Sequence, residues 1–160
     1  VFREGKEFQQ EYKKGIPQYD VKVVGKTEKR GTTVHFWPDL EIFTVSEYKY
    51  ETVASRIREL SFLNKGIRLT LTDMRDIDEE GKVKYEEFYS EKGLLEFVEY
   101  LDSTRDKLIP EPMYIENQKG PIPVEIAILY NTSYTETICS YVNNINTIEG
   151  GTHVAGFRRA

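Results

Sequence analysis

Tyr50-Glu-Thr-Val-Ala-Ser-Arg-Ile-Arg-Glu-Leu-Ser-Phe-Leu-Asn-Lys-Gly66 decides how the chain is organised. Val53, Ile57, Leu60 and Leu63 recur at the spacing of one helix face, with Ala54 at a small position, so the stretch predicts a helix over 50–65. Gly66 suits the left-handed residue that often follows a helix end. Arg56 and Arg58 fall on other faces, where solvated surface is the ordinary reading. Upstream the period is different. Residues 1–3 and 7–12 read as strands around a Glu4-Gly5-Lys6 turn, and 21–24 and 32–37 read as two more. Lys14-Gly15-Ile16-Pro17 breaks the ladder, 25–31 reads as a polar turn, and Pro38-Asp39 ends the last strand. The switch from period two to helical spacing near residue 45 predicts a domain junction.

Downstream, 67–73 alternates strictly and reads as a half-buried strand with 82–89 as its partner. Leu94, Leu95, Phe97, Val98 and Leu101 give 93–101 an amphipathic helix. Strands follow at 113–116, 123–130 and 135–142. Gly150-Gly151 then permits a tight turn, and Thr152 is placed to N-cap a closing helix of about eight residues, too short to be stable alone. With valine at position 1, this predicts an internal piece of a larger protein. The order is β, then α–β–β–α–β–β–β–α, an α+β layout with helices on a mostly antiparallel or mixed sheet.

Composition narrows the function classes. The net charge of −5 argues against a protein that coats nucleic acid with its whole surface, though not against a local basic patch. No apolar run approaches the roughly 20 residues needed to span a bilayer, and no signal peptide is visible. The single cysteine, Cys139, has no partner for an internal disulfide, which favours a reducing cytoplasm. Its place in the expected strand 135–142 predicts a buried thiol.

The chemistry-bearing residues are sparse. Asp76-x-Asp78-x-Glu80-Gly81, with Glu87 six residues on, nearly fits a calcium loop, which needs alternating oxygen ligands and a terminal bidentate glutamate. Both flanks alternate with period two where such a loop needs helices, so an acidic hairpin tip is the simpler reading. A calcium-binding interaction module remains the alternative from a different class. His35 lies in a strand and His153 in a first helical turn, and no cluster has zinc spacing. No phosphate-cradling loop, dinucleotide fingerprint or Ser-His-Asp set is present, so no catalytic residue is assigned. Thr32, directly after Gly31, reads first as an ordinary β-branched strand residue; a hydroxyl beside a glycine is also placed to bond a purine edge or a water. Arg56, Arg58, Arg158 and Arg159 read as solvated surface or, alternatively, as a positive face for phosphates.

Four blocks in order, Gly31-Thr-Thr-Val-His-Phe-Trp-Pro38, Arg58-Glu-Leu-Ser-Phe-Leu-Asn-Lys-Gly66, Phe97-Val-Glu-Tyr-Leu101 and Asn143-Asn-Ile-Asn-Thr-Ile-Glu-Gly-Gly-Thr-His-Val-Ala-Gly-Phe157, closely resemble the DNA gyrase B family. The topoisomerase IV ATPase subunit shares much of this pattern. The resemblance implies the terminal antiparallel strands of a GHKL-type ATPase sheet in residues 1–42. Residues 43–160 would then be a transducer domain, with helices on a mixed sheet, that stops before the family's Gln-Thr-Lys loop. It also implies a parent that supercoils DNA by ATP-driven double-strand passage, uses ATP and Mg2+, and works in the cytoplasm with the gyrase A subunit, a second gyrase B protomer and double-stranded DNA, with no membrane partner. Thr32 is similar to the family's adenine-pocket threonine. Arg56 and Arg158 are similar to arginines lining the DNA cavity, attracting phosphates without reading bases. The family's general-base glutamate, magnesium-binding asparagine and γ-phosphate lysine have no counterpart in these residues. The chain alone is therefore expected neither to bind ATP tightly nor to hydrolyse it.

Overall fold

The computed structural model describes residues 1–77 and 79–159. Asp78 of the acidic loop and Ala160 lie outside the described residues. The chain divides into two compact units, Val1–Tyr48 and Lys49 onward.

In the first unit, β1 (Phe2–Arg3), β2 (Lys6–Gln9) and β5 (Lys22–Lys26) form an antiparallel sheet in the order β1-β2-β5. A separate hairpin joins β3 (Tyr12–Lys13) to β4 (Ile16–Pro17). The segment expected to break the ladder is thus a second hairpin turn. Glu4-Gly5 and Lys14-Gly15 all have positive φ, at 54° and 72° and at 52° and 79°. Two successive residues of that kind make the turn whose twist matches paired strands. The expected strand at 32–37 is not formed. Only Gly31 pairs here, its carbonyl accepting from the Phe2 N–H at 2.8 Å and its N–H donating to Phe2 O at 3.1 Å. Strand propensity without a neighbouring backbone yields an extended segment but no ladder. His35 tilts over Trp37 with ring centroids 4.1 Å apart, and Phe36 meets the edge of Tyr48 at 6.4 Å.

The second unit holds the core. It contains α1 (Tyr50–Leu63), β6 (Leu69–Ile77), β7 (Val83–Phe88), α2 (Leu94–Leu101), β8 (Met113–Lys119), β9 (Ile122–Ile128), β10 (Tyr141–Val142), β11 (Ile145–Asn146) and α3 (Thr152–Phe157). β6 pairs β7, β8 pairs β9 and β10 pairs β11, all antiparallel. This corrects the mixed sheet that the resemblance implies and agrees with the antiparallel alternative: among the described residues every ladder is antiparallel, and the sheets remain small and separate. The expected strand 135–142 shrinks to β10. Upstream of it, side chains take over the backbone bonds, with the Ser133 N–H donating to Asn131 Oδ1 (2.8 Å) and the Thr135 N–H to Ser133 Oγ (3.2 Å). Such local bonds compete with a ladder.

α1 packs against β6, β7 and α2, and α2 packs against β9. Phe62 stacks on Phe97 at 5.2 Å, Tyr100 closes on Phe62 at 5.6 Å, and Tyr141 closes on Phe97 at 6.2 Å. Ala54, Phe88 and Phe97 are buried. Arg58 departs from the solvated reading. It is half-buried against the Phe88 ring, donates to Glu86 Oε1 at 2.5 Å and reaches the Tyr100 hydroxyl at 3.4 Å. Burial opposes its charge, but the bonds to Glu86 and Tyr100 outweigh that, and the guanidinium holds its proton more tightly than usual.

The β6–β7 hairpin decides the acidic loop. Glu87 pairs with Thr70 inside the ladder and binds Arg68. It is therefore engaged away from the tip, where a calcium loop would need its terminal ligand. Strands, in place of helices, flank the tip. Among the described residues no group of three or more His, Cys, Asp or Glu is placed to hold a metal ion. No helix among them is long and apolar enough to cross a membrane.

Candidate functional site

Residues 136–158 include a hairpin, a turn and a short helix, and the hairpin is bonded to α1 and the residue that follows it. Asn143 and Asn144 join β10 to β11 with φ of 50° and 63°. Asparagine tolerates that region better than other side-chain-bearing residues, so Asn-Asn between Tyr-Val and Ile-Asn is a legible hairpin signal. The sequence reading took this segment only as a loop and a helix start.

Past the hairpin, Ser140 and Thr147 close a small polar knot. The Thr147 N–H donates to Ser140 O at 2.8 Å, the two hydroxyl oxygens lie 2.6 Å apart, and Thr147 Oγ1 meets His153 Nε2 at 3.2 Å. Gly150 turns the chain with φ 77°. Gly151 takes the N-cap position of α3 without a side-chain cap bond. Thr152 is thus the first helical residue and not the expected cap. Between 136–140 and α3 lies an open cleft of ≈ 470 Å³ lined in part by Ile138, Ile148, Val154 and Arg158.

Arg56 projects from α1 into this region. It pairs with Glu59 one turn on and donates from Nη2 to the Asn144 carbonyl at 2.8 Å. Glu59 is held in turn by the Tyr141 hydroxyl, which donates to its Oε1. The Asn144 side chain donates to Asn64 Oδ1 at 2.8 Å, and Asn64 donates to Leu60 O at 2.8 Å. Residues from α1 and the hairpin tip thereby form one bonded set. Burial, then the hydrogen bond to Glu59 and its charge, push the Tyr141 phenol well above its usual range, which keeps it a donor.

Arg158 lines the cleft and donates to Glu136 Oε2 at 3.1 Å. The two candidate DNA-contacting arginines therefore have different partners, and each is matched by a glutamate. Glu59, Glu136, Tyr141 and Asn144 are the residues that the sequence reading missed. The i, i+3 spacing of Arg56 and Glu59 is visible in the sequence, whereas the 88-residue separation of Arg56 from Asn144 is not.

Thr32 is exposed, and it follows the single bridged residue of its segment. Cys139 corrects the buried-thiol expectation. It is exposed because the strand meant to carry it inward does not form. Partial burial, then the nearby Glu59 charge, still raise its thiol above the ordinary value, against a lowering bond from Tyr141.

The family model described as DNA gyrase B matches residues 93–160. The gyrase B protein of Cytophaga hutchinsonii is 71% identical over 160 residues, covering 100% of this chain and 34% of that protein. The gyrase B protein of Cytophaga aurantiaca is 69% identical over the same span, again 34% of its length. The chain thus spans about a third of the curated relatives it matches. A crystal structure of the 43K ATPase domain of Thermus thermophilus gyrase B, in complex with an aminocoumarin, superimposes with a TM-score of 0.78 at 32% identity, covering 99% of this chain and 42% of that one. Sequence and fold agree from end to end, and the chain belongs to the DNA gyrase B family.

Proposed function

We propose that this chain is the stretch of the ATP-hydrolysing gyrase B protein that relays nucleotide state to the DNA gate and lines the cavity for a DNA segment. On this reading residues 1–42 are the closing strands of the GHKL-type ATPase domain, and residues 43–160 are most of the transducer. The relay is rigid-body movement of one domain against the other. The whole enzyme works in the cytoplasm with ATP, Mg2+, the gyrase A subunit and a second gyrase B protomer to supercoil double-stranded DNA. The observation that carries this reading is end-to-end similarity to gyrase B, including the 143–157 block that forms the hairpin–turn–helix beside Arg56.

Thr32 contributes a hydroxyl to the adenine pocket. Arg56 and Arg158 supply positive charge to DNA phosphates, with no role in reading bases. The test uses full-length gyrase B reconstituted with the gyrase A subunit. Arg56→Ala and Arg158→Ala are each expected to lower supercoiling and to reduce the salt slope of DNA binding by about one. Unchanged supercoiling and an unchanged slope in both variants would overturn the cavity assignment. Thr32→Ala should raise the KM for ATP about fivefold, the worth of one ordinary hydrogen bond, with kcat little changed. An unaltered KM would remove Thr32 from the pocket. The 160-residue chain alone should give no ATP turnover in a coupled assay, since it lacks counterparts of the general base and the magnesium ligand. Supercoiling by the reconstituted enzyme, as opposed to decatenation alone, separates gyrase from topoisomerase IV.

A further inference from the structure

We infer that Glu59 is a latch on Arg56: its carboxylate occupies the guanidinium as a phosphate would, and DNA engages Arg56 only by displacing it. The inference rests on the cavity reading of Arg56 and adds a residue that the reading does not contain.

Three observations carry it. Arg56 is bonded through both terminal nitrogens, to Glu59 Oε2 and to the Asn144 carbonyl. Glu59 is itself fixed, because Tyr141 donates to its other oxygen, and its side chain is only 20% exposed against 43% for Arg56. The carboxylate is therefore held by the fold, while the guanidinium stays partly open to solvent. A charge already matched at short range contributes little to the attraction of a polyanion, since phosphate must exchange for the carboxylate. The Arg158–Glu136 pair is a weaker case. Both side chains are more than half exposed, at 58% and 68%, and pairs of that kind hold loosely in water.

The latch makes a specific claim about coupling. Removing Arg56 should matter less while Glu59 holds it than after Glu59 is gone. The experiment measures binding of full-length gyrase B to a short random-sequence DNA duplex by fluorescence anisotropy at low salt. Wild type, Arg56→Ala, Glu59→Gln and the double variant form a cycle. Glu59→Gln is expected to tighten binding up to about fivefold, the upper range for releasing a partly exposed pair, and this gain should vanish when Arg56 is alanine. Glu28→Gln, which removes a charge from an exposed glutamate of the other unit, controls for net charge and should tighten binding less. Glu59→Asp keeps the charge but shortens the reach. It should tighten binding as well, and it stands in for Glu59→Gln if circular dichroism shows that variant misfolded.

An Arg56→Ala effect of equal, nonzero size with and without Glu59 overturns the latch and leaves the cavity reading in place. No Arg56→Ala effect in either background overturns the latch and removes Arg56 from the cavity lining. Weaker binding by Glu59→Gln and Glu59→Asp would mean that Glu59 orients Arg56 toward DNA, which also overturns the latch.

Discussion

At the scale of single residues, Tyr141 joins the most chemistry. Its ring closes on Phe97 and its hydroxyl holds Glu59, so it couples the aromatic core to the charged pair on α1. Tyr141→Phe keeps the ring and removes the donor. It should lower stability by about 1 kcal/mol in urea unfolding, the net worth of one such bond. The pH dependence follows from the raised phenol. Its folded value lies above the usual 10.0, so the contribution is complete below about pH 10 and is lost as pH rises further, when the unfolded state releases its proton first. The stability difference between wild type and Tyr141→Phe should therefore be flat from neutral pH to about 10 and change only above it. Cys139 gives a second expectation. Its exposure should let a thiol reagent label it in the native state, and its raised value should make the reaction slower at neutral pH than that of an unperturbed cysteine. No labelling before unfolding would contradict the exposed position. That position was not legible in the sequence, because it depends on a ladder that never forms.

At the scale of elements, the two longer helices and the 69–88 hairpin are where sequence and structure agree best. Their patterns are local: Leu69, Leu71 and Asp73 are half-buried while Thr70 and Thr72 are exposed, as strict alternation predicts. The start of α2 shows what pattern alone misses. Gly93 has φ 61°, and a Cβ there would lie 3.2 Å from the Phe62 carbonyl and 3.3 Å from Lys65 Cβ. Ser90 Oγ accepts the Gly93 N–H at 2.8 Å, and Glu96 reaches back to the Lys92 N–H at 2.9 Å. Gly93→Ala should cost about 1–3 kcal/mol, read as a lower urea midpoint at unchanged slope. Phe97→Ala, which empties the stack on Phe62, should cost about 3–5 kcal/mol by the same measurement. Residues 32–37 and 135–140 carry strand-like composition without forming a ladder: before the first only Gly31 is bridged, and in the second the Thr135 N–H donates to Ser133 Oγ.

At the scale of the whole molecule, burial is uneven. The three buried apolar residues among those described, Ala54, Phe88 and Phe97, all belong to the second unit. In the first, Val34, Trp37, Leu40, Ile42 and Val45 are each more than two-thirds exposed. Hydrogen exchange should find slow amides in α1, β6 and β7 and fast ones across 32–48, where few backbone donors are paired. Slow exchange throughout 32–48 would contradict that picture. The sequence by itself determined the family, the α1 and α2 helices, the long hairpin and the arginines worth attention, because each depends on spacing between near neighbours. Tertiary structure alone decided that the ladders stay small and antiparallel, that Cys139 faces outward and that Glu59, Tyr141 and Asn144 surround Arg56. Those outcomes depend on which donor meets which acceptor across some eighty residues, a choice made by packing of the helices and hairpins that no local period encodes.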